Sequence, residues 1–345
     1  MVTVTATKLS ILWTNSWFQL AVLTAIFSGC LLLFDFCRDP GGALYSFHWP
    51  LSPQDSKSAP GSELAPYPER AAVYEKAAEQ GDVDAARNLG YLYLMDGILG
   101  APPDMDKAFK WIKVAADKDD TFALALQYQY GLGQAKDPIK AISIFEVLAM
   151  KGDALAENQL GFSFSKGLGV KEDDTQAVPW LKKAADQGYA PAEYNLGVVY
   201  GENAGVTQDF EQEMAWDRKA ADQGDAKAEN DLGFMYAAGW GAPLDDTQAA
   251  IWYKKAADQG LASAQGFLGD LYFNGHGVPQ DYTQALYWDQ KAADQKLGIS
   301  QKQIGDMYAR GLGVPKDISE AVQWYKKAAA NGDLDAPYLL QKLGD

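Results

Sequence analysis

The sequence predicts an all-α chain: a right-handed α-solenoid of about seven helix pairs, with one apolar helix ahead of it. Three observations carry this. A tryptophan-centred phrase recurs at a nearly constant interval of 36 residues. Each interval holds two apolar stripes at helical spacing, separated by a Gly-rich turn. Ahead of the repeats, Trp17 to Phe34 reads WFQLAVLTAIFSGCLLLF without one formal charge.

Residues 1–38 are read as a membrane anchor or signal segment. Eighteen helical residues rise about 27 Å, close to the roughly 30 Å hydrocarbon core of a bilayer. Trp13 and Trp17 fall where an interface would be. A cleaved signal peptide wants a more basic start and a small-residue site after Phe34, so the pattern favours an uncleaved single-pass anchor. The tetrad Phe27-Ser28-Gly29-Cys30 resembles a bacterial lipobox, which gives a lipoprotein, or a secreted cleaved form, as the alternative. A short tail before a long folded region places the repeats on the exported, periplasmic side. Residues 39–65 are rich in Pro, Gly and Ser and read as a linker.

Residues 66–345 hold the repeats. The Ala-Ala pair of each KKAADQG-like phrase begins at Ala77, Ala115, Ala184, Ala220, Ala256, Ala292 and Ala328, with Leu148-Ala149 in the third unit. Four positions before the first member stand Val73, Trp111, Ile144, Trp180, Trp216, Trp252, Trp288 and Trp324. A second anchor, Leu-Gly, recurs at Leu89-Gly90, Leu160-Gly161, Leu196-Gly197, Leu232-Gly233 and Leu268-Gly269, becoming Ile304-Gly305 and Leu124-Ala125 elsewhere. In the unit Asp225 to Gly260, the first helix is expected to bury Ala228, Leu232 and Tyr236. The second is expected to bury Ala249, Trp252, Tyr253, Ala256 and Ala257. Asp245 or Asp246 would cap it, and Gly260 would end it in a left-handed conformation. One pair has too little apolar surface to stand alone, whereas stacked pairs make a continuous seam.

The phrase IWYKKAADQGLASAQGFLGDLYFNGHGVPQDYTQA resembles the Sel1-like repeat family, and the resemblance extends from near Pro68 to the end. It implies a tetratricopeptide-like solenoid and adaptor or assembly roles at membranes, in envelope complexes and in host contact. Departures from the repeat are local. One unit gains residues around Asp96 to Gly100 and the next loses three between Ala116 and Leu124. Glu213 stands where siblings place alanine, and Lys296 replaces the helix-ending glycine. The segment Asp333 to Leu343 is expected to form a short capping helix.

Charge and composition exclude several functions. A formal net charge of −16, with Lys interleaved among Asp and Glu, argues against a nucleic-acid partner. Both cysteines, Cys30 and Cys37, lie in the N-terminal segment, so the repeats hold no thiol chemistry. Ser163-Phe164-Ser165-Lys166 satisfies S-x-x-K, and the family resemblance links some members to β-lactam binding, but no S-D-N or K-T-G accompanies it. His48 and His276 are isolated. The GxG phrases follow helices and repeat, so they are turns; paired acids such as Asp173-Asp174 are helix caps. No catalytic set, cofactor, metal or small-molecule substrate is expected.

The residue after each Leu-Gly lies roughly 200° from the leucine and is expected on the inner face. That series reads Tyr91, Leu126, Phe162, Val198, Phe234, Asp270 and Asp306, with Tyr194, Asn230, Asp231 and Lys302 beside it. Tyr91, Phe162, Tyr194, Asp231, Phe234, Asp270 and Asp306 are therefore the candidate partner-binding residues. They suit a peptide or helix with an apolar stretch and a basic end. The expected function is a membrane-anchored scaffold. The alternatives are a released or lipid-anchored surface factor and, third, a cell-wall or β-lactam enzyme resting on Ser163 and Lys166.

Overall fold

The computed structural model describes residues 67–95, 104–202 and 205–343. The chain divides into a unit at 1–45 and a unit at 46–345, and every described residue belongs to the second. The apolar run Trp17–Phe34, the linker and the insertion at 96–100 lie outside the described residues. Among the described residues, no helix is long and apolar enough to cross a membrane.

Sixteen helices and no strand are found among the described residues. Helix α1 (Tyr67–Glu79) precedes the first pair, α2 (Val83–Met95) and α3 (Met105–Ala116). The next pairs are α4 (Thr121–Tyr130) with α5 (Pro138–Ala149), and α6 (Ala154–Lys166) with α7 (Asp174–Asp186). They are followed by α8 (Ala190–Gly201) with α9 (Phe210–Asp222), and α10 (Ala226–Ala238) with α11 (Asp246–Asp258). The last two are α12 (Ala262–Asn274) with α13 (Tyr282–Asp294), and α14 (Gly298–Arg310) with α15 (Ile318–Ala330). Helix α16 (Ala336–Leu343) closes the array, as expected, laying Leu339 and Leu340 against Ala321, Tyr325 and Ala328. Each helix packs on its neighbours in sequence, and first helices also touch across repeats, α6 on α8 and α12 on α14. This is a solenoid.

Capping sets the helix starts. Asp153, Asp173, Asp225, Asp245 and Asp281 each accept hydrogen bonds from backbone N–H groups of the first turn, 2.8–3.1 Å away. At Tyr189 and Leu261 no side-chain cap forms; a buried apolar residue fixes the chain entry there instead. Ala249, Trp252, Tyr253, Ala256 and Ala257 are buried as expected, whereas Tyr236 is only half-buried and its hydroxyl accepts a bond from Arg218. In several repeats the lysine three residues after the tryptophan lies over its ring, as Lys183 over Trp180 at 3.9 Å and Lys255 over Trp252 at 3.7 Å.

The Leu-Gly glycine lets the paired helices approach. A Cβ on Gly161 would stand 2.7 Å from Leu181 Cγ, and one on Gly233 2.6 Å from Tyr253 Cδ1. Helix α4 is three residues shorter than most of its siblings, and Leu124, placed by sequence in the Leu-Gly frame, is exposed. Three residues turn a helix by about 300° and not a full circle, so the buried positions shift to Phe122, Ala123, Ala125 and Leu126.

Lys296 keeps the left-handed geometry of the glycines it replaces, with φ +68°, and Asp119 does the same at +66°. A Cβ at the equivalent Gly260 would meet nothing within 4 Å, so the cost at Lys296 lies in the backbone alone. Lys296→Gly is expected to stabilise the protein by about 1 kcal/mol, read as a shift in the urea midpoint.

Candidate partner-binding surface

The seven candidate residues do not form one exposed line. Tyr91, Phe162 and Tyr194 are buried, with 6%, 9% and 8% of their surface accessible, and Leu126 is buried with them. Their expected exposure is thus corrected. The cause is the side-by-side packing of first helices: in α8, nine of twelve residues are buried, so the face turned from the partner helix is covered by adjoining repeats. Tyr91 Oη donates to Gln159 Oε1 of α6 at 3.3 Å, reaching past the short α4.

The other four are half-buried. Phe234 meets Trp240 edge-on at 5.2 Å, and Trp240 stacks on Phe210 at 4.5 Å. Asp231 accepts from Tyr194 Oη and from Asn230 Nδ2, both at 3.1 Å. Asp270 accepts from Asn274 Nδ2 at 2.8 Å, and His276 and Lys302 partly offset the upward push of burial on its carboxyl. Asp306 accepts from Tyr325 Oη at 2.7 Å, with Lys302 Nζ 3.5 Å away.

The structure adds a cluster absent from the sequence reading. In the repeat frame, the residue after each second-helix tryptophan faces the Leu-Gly glycine. It is Ile112, Leu181, Tyr253 and Tyr325 in four units, and Phe145 follows Ile144 in a fifth. In the remaining two it is Asp217 and Asp289, each 1% accessible, and neither oxygen of Asp217 is hydrogen-bonded. Glu213, one turn before Asp217, has its carboxylate against Gly201, where a Cβ would stand 2.5 Å from Cδ. The carboxylates of α9 therefore fill the space that Gly197 and Gly201 leave on α8. Burial, then Asp231, Glu213 and Asp225, pushes Asp217 well above the usual carboxylate range. Burial, then Asp231 and Glu202, pushes Glu213 up to about 8. Asp225, an N-cap, is pushed up to about 6 by burial against its backbone bonds. The signal in the sequence is the apolar series broken by Asp217 and Asp289, together with Glu213 in an alanine position.

A ladder of half-buried amides on buried acids also links successive units. Gln187, Gln223 and Gln259 donate through Nε2 to Glu157, Glu193 and Glu229 at 2.7–2.8 Å, each thirty residues back. Gln265 and Gln301 replace the acid in the last two rungs. Burial raises Glu229 to about 7, so its contribution to folding is present in acid and lost as pH rises from about 4.5 through 7. Glu229→Gln, the side chain at Gln265, is expected to gain about 1–2 kcal/mol above pH 8 and nearly nothing at pH 4, measured by denaturation at both.

The S-x-x-K residues are engaged structurally. Ser163 is buried and donates to the Gln159 carbonyl at 2.8 Å, and Lys166 binds Glu202 at 3.1 and 3.2 Å. His276 occupies its turn half-buried, its backbone N–H donating to the Leu271 carbonyl at 3.1 Å.

Repeated helix pairs, stacked in one direction and joined through shared cores and amide rungs, define an α-solenoid repeat protein. The chain belongs to the Sel1 repeat family: the family model matches residues 74–82, 83–120, 121–153, 154–189, 190–225, 226–261, 262–297 and 298–333. Sel1 repeat chains are in general protein-interaction scaffolds. Among solved structures, the chain is similar to c5321, described as a protective antigen present in uropathogenic Escherichia coli strains displaying an SLR fold. That match has 35% identity and a TM-score of 0.62 over 79% of this chain, which spans 59% of the c5321 chain. It is also similar to a Sel1 repeat protein from Oxalobacter formigenes, with 31% identity, TM-score 0.59, and 66% and 88% of the two chains covered. No curated protein matches the chain.

Proposed function

We propose that this chain is a non-catalytic, membrane-anchored scaffold whose repeats bind a protein or peptide partner, serving as an accessory subunit of a membrane or envelope complex. The observation that carries the reading is the unbroken run of Sel1 repeats over 74–333, which commits most of the chain to a surface of stacked helices. The uncharged run Trp17–Phe34 supports anchoring, with the repeats on the periplasmic side. Within the repeats, Asp231, Phe234, Asp270 and Asp306 are the candidate residues that remain accessible to a partner.

The test is crosslinking in the native membrane, extraction in mild detergent and mass spectrometry of what accompanies the chain, its own N-terminal peptide included. Stoichiometric recovery with a membrane complex and an intact N-terminus is the expected result. Recovery alone sinks the accessory-subunit reading. A second reading, a released or lipid-anchored surface factor, draws on the similarity to the uropathogenic antigen. It predicts a start cleaved within the first 65 residues or lipidated at Cys30.

A further inference from the structure

Asp217 and Glu213 stand at positions where most sibling repeats place apolar side chains. Sibling repeats set an alanine at the position of Glu213, as at Ala177 and Ala249, and five of them set an apolar side chain at that of Asp217. Asp217 is 1% accessible and neither of its oxygens is hydrogen-bonded; Glu213 Oε2 is likewise without a partner. Buried polar groups are nearly always satisfied, and each exception asks for a missing partner. The chain supplies acids around this pair. Asp231 and Asp225 face it from α10 and its cap, Glu202 from the end of α8, and Tyr194 from within α8. Of the neighbouring cations, Lys166 is bound to Glu202, and Lys227 acts on Asp225 and Asp231.

We propose that the half-buried Glu213 and Asp231 take an arginine side chain of a protein partner, and that its entry parts α8 from α9 far enough to bring Asp217 into contact with it. This rests on the reading of the array as a protein-binding scaffold. The partner chemistry follows from charge and geometry together. Asp217, Glu213, Asp225, Asp231 and Glu202 stand together here with only Lys166 and Lys227 near them, so the position becomes negative as the acids ionise. Among the described residues, no group of three His, Cys, Asp or Glu is placed to hold a metal ion. A guanidinium has five donors fanned over a plane and bridges separated acceptors. Burial, and then the facing acids, push both carboxyls up, and a cation seated beside them would draw them down again. A related acid stands two repeats on. Asp289 is equally buried beside Gly269, with Asp270 close enough to act on it. There, however, Ser300 and Gln303 face the carboxylate, so the emptier acceptor set is at Asp217.

The test uses the full chain in mild detergent at pH 8, with Nα-acetylarginine amide as probe and its citrulline analogue, which is neutral and nearly isosteric, as control. Calorimetry is expected to show at least tenfold tighter binding of the arginine compound. That preference should vanish in both Asp217→Asn, which keeps shape and removes charge, and Asp217→Leu, the residue of a sibling repeat. Equal binding of the two compounds overturns the proposal, as does an arginine preference unchanged in both variants. Stabilisation of the native chain by Mg²⁺ or Ca²⁺ alone, absent from both variants, overturns it in favour of a metal site. Partner capture from the membrane without arginine preference sinks this inference and leaves the scaffold reading standing; failure of capture sinks that reading itself.

Discussion

Asp217→Leu unfolds at a higher denaturant concentration than the native chain at pH 8, by about 1–4 kcal/mol, the range for replacing buried charge with a fitted hydrophobe. The volume exists already: Leu181 occupies the same position one repeat earlier, against Gly161 as Asp217 lies against Gly197. The sign of the pH dependence follows from the direction of the shift. Asp217 binds its proton more tightly folded than unfolded, so its favourable contribution is complete below about pH 4 and is lost as pH rises through the folded value. Glu213, at about 8, and Asp225, at about 6, extend the loss across neutrality. The advantage of the variant therefore grows from pH 4 to pH 8, and Glu213→Ala, the sibling residue, behaves alike. Urea titrations of native and variant at matched pH measure it. A variant weaker than native at pH 8 would mean that the carboxylate already has a counter-charge in the folded chain. A gain in stability joined to a loss of arginine binding would identify the acids as retained for recognition at a cost to the fold.

The solenoid was legible because its determinants are local and repeated. The tryptophan period placed the second helices, aspartates placed their starts, and Lys296 in a glycine position kept the glycine's backbone angle. What sequence misjudged was burial at the second level of packing. A period of 3.6 identifies the face each helix turns to its own partner; it carries no information on how closely the next repeat lies. The period alone puts Tyr91, Phe162 and Tyr194 on an open face, and neighbouring first helices cover them. The loss of three residues before Leu124 was legible in the letters; that it rotates the helix by about 300° and leaves Leu124 exposed is a matter of geometry. The acidic cluster was hidden differently. Asp217 resembles any exposed helix aspartate until its repeat register is laid against Leu181 and Tyr253.

Gly277→Ala abolishes cooperative folding of the later repeats, or destabilises them by about 3–5 kcal/mol, combining a left-handed backbone penalty with overpacking. The two glycines of each GxG turn have different tasks. Gly275 ends α12 at φ +74°, donating its N–H to the Leu271 carbonyl at 2.8 Å, and a Cβ there would meet Gln280 only at 3.1 Å. Gly277, at φ +68°, rests on the start of α11 in the preceding repeat. An added Cβ would overlap the Asp246 carbonyl and stand 2.7 Å from Thr247 N, all of it backbone that cannot swing aside. Gly241 against Phe210 and Gly169 against Pro138 repeat the contact, so this glycine sets how closely each turn seats on the previous unit. Gly275→Ala should therefore cost about 1–2 kcal/mol, the backbone penalty alone, and the difference between the two substitutions isolates the seating term. Urea unfolding followed by tryptophan fluorescence compares them. Equal effects would show that backbone angle is the whole requirement at both positions; a larger loss at Gly277 makes the second glycine the inter-repeat contact on which stacking depends.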